Sequence, residues 1–505
     1  MLKIEPKFSE AAQGASVNNC YIESGFTGKV QTRLRGRRDL VSVPMPCPLK
    51  WDETLAAYKS TKTGTIYYLV RTNYEIRLRS VKNGNNRIIG SLGNVYNMET
   101  ICNFAEMRFL NNKYVSGFTE GNFGILFCAG GKLYLVDDLN PTAIKEIDEF
   151  GLDKINASVG SVAVVANRII ISELKGSSWW FSNPGGLETG DGTIFSTLKA
   201  YESEYSGDFI VRVARVAGIR LAVFGERTLE IWDVTDNLAD ENGHEDPFAT
   251  SFQGQVYKIG CIAQSIEEIN DVVYFCGIED LSGRYSIYSI GRDGLNKLSE
   301  NPLDTFLSDT IRTMGETLVK CGKYSENSVN FYLLHLKDFS LAYNLPEKSF
   351  SRFYHNVSVR QTMPFNCILM ENDGIVIGFD GVLKVSDQTL EYTGYYTEKL
   401  LMLPVFDNGG AKRFAVNKLI LDMSAITTPK SPPHDGNIIA IDYSTDGTKT
   451  FIGRRSIAIP EAGRHKEYPL RLFRLGRCNN MILRIYTITN NFILNSIIIE
   501  VEELL

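Results

Sequence analysis

The chain has 505 residues, a formal net charge of −6 at pH 7, and 43 Gly, 24 Tyr and 27 Phe. This length exceeds one ordinary hydrophobic core, and abundant glycine with aromatic and branched residues indicates many short strands separated by turns. The mildly acidic balance excludes a whole-protein basic field that would coat nucleic acid. No apolar run approaches the about 18 residues needed to cross a bilayer, and the start MLKIEPKFSEAA lacks the apolar stretch of a signal peptide.

Nine cysteines are scattered along the chain without a single CxxC pair. An odd count in a large chain favours reduced thiols that pack as small core residues. Together with the absence of a secretion signal, this pattern predicts a protein that is synthesised and assembled in the cytoplasm.

Residues 1–60 contain few clean strand patterns and are predicted to lead into the first repeat unit. Arg33, Arg35 and Arg37 alternate in the stretch QTRLRGRRDL. One interpretation is a cationic strip for phosphate or an acidic partner. The other is a solvated or edge strand whose charges discourage aggregation, and we favour it because no stacking aromatic residues lie nearby.

Hairpin patterns then recur every 45 to 60 residues, roughly the period of four-stranded propeller blades. They occupy residues 63–81, 124–138, 161–186, 220–236, 272–299, 330–353 and 374–387. The pattern predicts an all-β fold with a β-propeller of about seven blades over residues 61–403. One helix is expected between two blades in 301–318, with Asn301 as its cap, Pro302 in its first turn, and an apolar face.

After residue 403 the strands become longer and lose the blade spacing. Residues 404–505 are therefore predicted to form a β-sandwich that docks onto a neighbouring molecule. This segment contains a cluster of basic residues, Arg471, Arg474, Arg477 and Arg484. Arginine clusters of this kind suit an acidic partner or pairing between subunits.

No motif in the chain predicts a catalytic residue, a metal or a cofactor. The acidic loop 233–246 surrounds His244, but it lacks the ligand register of a calcium-binding EF-hand, which favours a solvated loop between blades. The five histidines lie far apart, and neither a zinc motif nor a nucleophile elbow is present. His335, within an apolar strand, is predicted to be packed. Adjacent Asp446 and Gly447 indicate a hairpin rather than the Asp box of sialidase propellers.

Trp179 and Trp180 admit two interpretations. Their flat faces suit stacking on a sugar, but consecutive strand residues point to opposite sheet faces, where aromatic side chains pack against neighbouring blades. We favour packing.

Three stretches resemble one protein family: FGERTLEIWDVTDN, WWFSNPGGLE and PLRLFRLGRCNNMILRIYTIT. They are similar to tail-hub proteins of short-tailed bacteriophages (podoviruses), also called packaged-DNA stabilisation proteins. The family hairpin F-G-x-x-T-[IL]-E-[YIW] is matched by Phe224, Gly225, Thr228, Leu229, Glu230 and Ile231. Its terminal R-x-G-[RQ] element is matched by Arg474, Gly476 and Arg477. The resemblance runs from about residue 124 to the C-terminal segment and does not cover the first 60 residues.

The resemblance implies a non-enzymatic component of the virion tail. It implies a sixfold ring of this chain below the portal and its adaptor, which closes the channel, retains the packaged DNA, and carries the tail needle and the tailspikes or tail fibres. Genomic DNA would pass through without sequence-specific binding. Two alternatives remain open from the residues. A glycan-binding propeller or glycoside hydrolase would show convergent carboxylates in an axial pocket, and a cellular interaction scaffold would behave as a stable monomer.

Overall fold

The structure is a computed structural model. It describes residues 2–4, 16–24, 32–37, 39–42, 53–72, 75–83, 85–93, 102–110, 122–147, 158–187, 194–202, 208–234, 248–250, 256–336, 339–356, 361–362, 375–378, 381–386, 399–403, 406–407, 413–424, 438–446, 449–459, 470–489 and 492–503. These segments form strands almost throughout, so the prediction of an all-β chain is confirmed.

Five short strands lie near the start of the chain, at β1 Leu2–Ile4, β2 Ser16–Asn18, β3 Cys20–Ser24, β4 Thr32–Gly36 and β5 Asp39–Ser42. Six antiparallel units follow, and four strands of each are hydrogen-bonded to their neighbours in chain order. Such meanders are the repeating element of a propeller.

The first unit has β6 Glu53–Lys59, β7 Ile66–Arg71, β8 Ile76–Lys82 and β9 Asn85–Ser91. The second has β10 Asn103–Phe109, β11 Asn122–Ala129, β12 Lys132–Asp137 and β13 Ile144–Glu146. The third has β14 Val159–Val165, β15 Arg168–Glu173, β16 Ser178–Ser182 and β17 Phe195–Glu202. The fourth has β18 Ile210–Val216, β19 Arg220–Gly225, β20 Leu229–Val234 and β21 Phe248–Thr250, with β22 Val256–Tyr257 also on β20.

The fifth unit has β23 Ile259–Cys261, β24 Glu267–Ile269, β25 Val272–Glu279, β26 Tyr285–Gly291 and β27 Gly294–Lys297. Both β23 and β24 pair with β25. The sixth has β28 Lys320–Glu326, β29 Val329–His335, β30 Ser340–Asn344 and β31 Ser349–Asn356, with β32 Gln361–Thr362 on β31.

Tight turns with positive φ set the register of several hairpins. Gly130 and Gly131 have φ of 61° and 77° between β11 and β12. The pairs Ala166-Asn167, Asn270-Asp271 and Asn327-Ser328 also have positive φ at both positions. Two-residue turns of this handedness match the twist of the flanking strands, so local sequence specifies each reversal.

Adjacent units share hydrophobic cores, which shows that they stack face to face in chain order. The first two units meet around Leu69 and Phe127, and the second and third meet around Leu126 and Ile171. Three further cores join the third to the fourth unit, the fourth to the fifth, and the fifth to the sixth. The predicted β-propeller is confirmed by this stacking.

A three-stranded sheet follows the sixth unit. It contains β33 Ile375–Gly378 and β34 Gly381–Ser386, and β34 pairs antiparallel with the N-terminal strand β5. A strand from near the start of the chain thus joins a sheet that follows the sixth unit, as in propellers closed by strand exchange. The number of seven blades stays a prediction.

The predicted helix lies between the fifth and sixth units, as α1 Asn301–Met314. Its apolar face buries Leu303, Leu307 and Ile311. The expected cap was wrong by one residue: Glu300 is the N-cap, with extended backbone at φ −101° and ψ 164°, and Asn301 is already helical.

The C-terminal strands are β35 Lys399–Met402, β36 Phe406–Asp407, β37 Phe414–Ser424, β38 Ile438–Ser444, β39 Ile452–Ala458, β40 Leu470–Cys478, β41 Asn480–Thr487 and β42 Ile493–Glu503. They form two sheets around one shared core. One sheet has the order β3-β4-β42-β37-β40, with β1 also on β42. The other has the order β2-β35-β41-β38-β39 and continues through β2 into β31 of the sixth unit.

The N-terminal strands belong to the sheets of the C-terminal strands, a pairing that the sequence did not predict. Strands β1 and β4 pair with β42, and β2 pairs with both β35 and β31. The first propeller strand, β6, begins at Glu53. Because these N-terminal strands are only three to five residues long, they carry too little alternation to predict their partners. The division at residues 60 and 403 stays a prediction.

Both interpretations of the Arg33, Arg35 and Arg37 stretch were wrong. Arg33 Nε and Arg35 Nη1 donate to the carboxylate of Glu23 at 2.8 and 3.1 Å, and Glu23 is 3% exposed. Arg37 is fully buried over the ring of Phe353. Strand β4 lies between β3 and β42, so it is an interior strand and its arginines serve internal packing.

Candidate docking surface

Three of the four predicted basic residues lie on the outward side of β40. Arg471, Arg474 and Arg477 are exposed, while Leu472 and Leu475 point into the sandwich core. Neighbouring strand residues point to opposite faces, so the cationic side chains face away from the core. Strand β40 is the last strand of its sheet.

A β-bulge explains why two outward arginines flank Gly476. Val416 pairs with Gly476 and Lys418 with Phe473, so two residues of β40 lie opposite one residue of β37. Arg474 has φ 57° and Gly476 φ 134°. A Cβ on Gly476 would lie 2.7 Å from the hydroxyl of Tyr443. The family element Arg474, Gly476 and Arg477 is therefore a backbone feature that turns β40 outward.

The fourth predicted basic residue does not lie with the other three. Arg484, on β41, donates through Nε and Nη2 to the two carboxylate oxygens of Asp442 at 2.8 and 2.6 Å, and Asp442 is 4% exposed. Its guanidinium also covers the ring of Phe451 at 3.9 Å. This bidentate ion pair compensates the charge of Arg484 on the face of β41 opposite to Leu483 and Ile485, which point into the sandwich core.

Two basic residues that sequence reasoning missed lie close to β40. Arg454 and Arg455 are exposed on β39. Arg455 donates to the carbonyl oxygens of Phe473 and Arg474, the latter at 3.1 Å. The edge strands of the two sandwich sheets are therefore held side by side. The sequence shows that Arg454 and Arg455 are basic, but only the fold shows that they lie beside β40. We call β39 and β40 with Arg454, Arg455, Arg471, Arg474 and Arg477 the basic edge.

The family hairpin is a buried structural unit of the fourth propeller unit. Five of its residues are at most 6% exposed: Phe224, Thr228, Leu229, Glu230 and Ile231. The reversal closes through a hydrogen bond from Gly225 N–H to the Thr228 carbonyl at 2.7 Å. These residues form and stabilise the propeller rather than contacting a ligand.

A carboxylate outside the motif completes this hairpin. Asp208 Oδ2 accepts the backbone N–H groups of Arg227 and Thr228 at 2.6 and 2.9 Å, and the Thr228 hydroxyl at 3.2 Å. A Cβ on Gly225 would lie 2.4 Å from the same oxygen. The glycine and the threonine of the motif thus make room for and bind Asp208. No local sequence signal connects Asp208 with a turn about twenty positions further on.

The tryptophan pair packs between propeller units, as we favoured. Trp179 is fully buried, 5.3 Å from Trp232 of the fourth unit in edge-to-face geometry. Trp180 points to the other face, into the core shared with the second unit. The alternation along one strand therefore predicted the environment of both rings.

His335 is also packed, as expected from its apolar strand. It is 5% exposed, and its Nδ1 lies 2.6 Å from the Ser340 hydroxyl. Burial, with a smaller contribution from Lys320, lowers its pKa from 6.5 to about 3. The imidazole is neutral at physiological pH and is not poised for acid-base work.

Within the described ranges, no group of three or more His, Cys, Asp or Glu is placed to hold a metal ion. Most of the acidic loop 233–246, with His244, lies outside the described residues. Asp446 is described and accepts hydrogen bonds from Thr450 and Ser444, whereas Gly447 is not described. Among the described helices, none has the length and apolar character to span a membrane.

The described architecture defines a class, that of all-β proteins built on a β-propeller. Residues 125–354 match the sequence model of the family Phage_stabilise, described as Bacteriophage P22 Gp10, beta-propeller. This match supports the resemblance of the chain to the tail-hub and DNA-stabilisation proteins of bacteriophages. Comparison with curated proteins gives no significant match.

Several solved structures match this chain at low sequence identity. A virginiamycin B lyase from Staphylococcus aureus is 12% identical, with a TM-score of 0.41, over 69% of this chain and 99% of the lyase chain. A streptogramin B lyase structure is 12% identical, with a TM-score of 0.38, over 73% of this chain and 98% of the other. A putative 6-phosphogluconolactonase from Bacteroides uniformis is 11% identical, with a TM-score of 0.36, over 66% of this chain and 94% of the other. These similarities carry no argument about activity.

Proposed function

We propose that this protein is the tail hub of a short-tailed phage virion. The family match of residues 125–354 is the observation that carries the proposal. In this role, copies of the chain form a ring, sixfold by the family resemblance, below the portal and its adaptor. The ring closes the DNA channel after packaging and carries the tail needle and the tailspikes or fibres.

The architecture suits a part that must hold a channel shut mechanically. Shared cores couple successive propeller units, and the N-terminal strand β2 joins the sixth unit to the sandwich within one sheet. Because packed cores resist deformation, a load on the sandwich is transmitted to the propeller. Retention of DNA then depends on contacts between subunits and with the needle, without sequence-specific binding of DNA.

In this role, the C-terminal sandwich is the part that binds neighbouring proteins of the tail. Arg471, Arg474 and Arg477 face outward from its last strand, and Arg454 and Arg455 extend the same surface. Arg484 stabilises the sandwich through Asp442. The glycan-binding alternative loses its motivation, because Trp179 and Trp180 are at most 7% exposed.

A phage that carries a stop codon early in the gene tests the proposal. We expect normal head assembly and packaging, followed by loss of DNA from the heads and absence of needle and spikes. DNA content is measured by nuclease protection, and tail composition by mass spectrometry of purified particles. Mutant particles that keep their DNA and a complete tail would contradict the proposal.

A further inference from the structure

Strand β39 of the basic edge is exposed to an unusual degree for a strand of a sandwich. Six of the seven residues of β39 are exposed and only Ile457 is half-buried. Strand β39 pairs with β38 along one side. Among the described strands, none pairs with its other side, so its backbone N–H and C=O groups on that side have no strand partner within the described residues.

The charge of this edge is of one sign. Neither β39 nor β40 contains an acidic residue, although together they carry five arginines. Arg471, Arg474 and Arg477 make no ion pair with the described residues, and Arg455 is used to join the two strands. The surrounding chain is acidic overall, at −6, so this concentration of guanidinium groups is local.

Apolar side chains lie among these arginines. Ile452 of β39 is 49% exposed and Phe473 of β40 is 52% exposed. Exposed aromatic and branched residues with arginine are typical of surfaces that become covered by protein. A nucleic acid backbone would use the charge, but it would satisfy neither the apolar groups nor the open peptide groups.

We propose that the basic edge binds an extended acidic segment of a partner protein. The segment adds as a strand to the open side of β39, its acidic residues pair with the arginines, and its apolar residues cover Ile452 and Phe473. Strand addition provides backbone hydrogen bonds, and the planar guanidinium groups match carboxylates. This inference rests on the proposed function, because it names the chemistry of the partner at the sandwich.

The test uses the full chain and a fluorescein-labelled peptide of alternating glutamate and valine, seven residues long to match β39. Binding is followed by fluorescence anisotropy. We expect saturable binding with a Kd below about 1 mM, weakened by salt. The double variant Arg471→Glu/Arg477→Glu should raise the Kd about tenfold or more, because attraction at two positions becomes repulsion.

A matched control carries the same charge change elsewhere. Arg227→Glu/Arg284→Glu alters two exposed propeller arginines and should leave the Kd within about twofold, because these charges lie outside the docking surface. A peptide with N-methyl groups on its valines keeps the charge but lacks those N–H donors, so it should bind at least about fivefold more weakly. Equal thermal midpoints of the two double variants show that the fold is kept.

Several results would overturn the inference. These are no saturable binding of the acidic peptide, equal binding by the Arg471/Arg477 variant, or equal binding of the N-methylated peptide. Tighter binding of a single-stranded oligonucleotide, lost in the same variant, would assign the edge to nucleic acid instead. The hub proposal is judged separately by the DNA content of the stop-codon phage, so either idea can fail alone.

Discussion

Replacing Glu23 by glutamine tests whether the N-terminal strands are an integral part of the sandwich. The Glu23 carboxylate, 4% exposed as a side chain, accepts from Arg33 Nε at 2.8 Å and from Arg35 Nη1 at 3.1 Å. Glutamine keeps the shape but removes the negative charge that accepts from both guanidinium groups, which are 20% and 13% exposed. Breaking such a buried pair costs about 3 kcal/mol of unfolding free energy, the lower end of the usual range, since water still reaches the arginines.

The assay is urea unfolding of the full chain, followed by intrinsic fluorescence and by circular dichroism. Glu500→Gln is the matched control, because Glu500 pairs with Lys418 at 3.1 Å with side chains 32% and 22% exposed. That more exposed pair should contribute only about 0.5 kcal/mol. Equal destabilisation by the two substitutions, or none by Glu23→Gln, would refute the assignment of a buried network at this position.

Three further predictions concern the propeller. Gly225→Ala should destabilise the chain by about 1–3 kcal/mol, because the new Cβ would lie 2.4 Å from Asp208 Oδ2; an unchanged thermal midpoint would contradict this. Trp179→Ala should cost about 3–5 kcal/mol in urea unfolding, since the ring is fully buried against Trp232, and a loss under about 1 kcal/mol would argue against burial. His335 has a folded pKa of about 3 against an unfolded value of about 6.5, so the unfolded state binds more protons between these values and stability falls as pH drops below 6.5. Between pH 7 and pH 4.5, the unfolding free energy of the His335→Gln variant should therefore decrease by about 2 kcal/mol less than that of the unmodified protein. Equal decreases in parallel urea titrations would be inconsistent with a buried neutral imidazole.

Hairpins and their spacing were predictable because their determinants are local. In the fourth unit, Phe224 pairs with Leu229 across the Gly225 reversal, as the sequence indicated. The same holds for Gly130 and Gly131, whose positive φ values are accessible to glycine. Alternation also predicted that Trp179 and Trp180 would serve two different cores.

Long-range pairing was not predictable from local patterns. Strand β1 meets β42 through Leu2 and Ile499, at opposite ends of the chain. The short strand offers no periodicity from which to choose this partner. Strand β4 likewise lies between β3 and β42, which turns an apparently solvated arginine stretch into a buried ion-pair network.

The sequence named the basic residues of the C-terminal segment, but it did not predict how they are placed relative to one another. Arg471, Arg474 and Arg477 are spaced three residues apart, so their common exposure depends on the β-bulge that interrupts alternation on β40. The ion pair of Arg484 depends on Asp442, which a neighbouring strand brings opposite to it. The contribution of Arg455 depends on two sheets meeting at their edges. The residue pattern of one strand predicts neither the pairing of Arg484 with Asp442 nor the meeting of the two sheet edges.

The central claim is that this chain assembles as a hub on the portal and its adaptor. The most direct measurement is the mass of the purified protein, alone and mixed with the portal-adaptor complex of the same phage, by light scattering on a size-exclusion column. We predict a stoichiometric ring of this chain on that complex. A protein that stays monomeric and leaves the portal-adaptor complex unchanged would contradict the hub function.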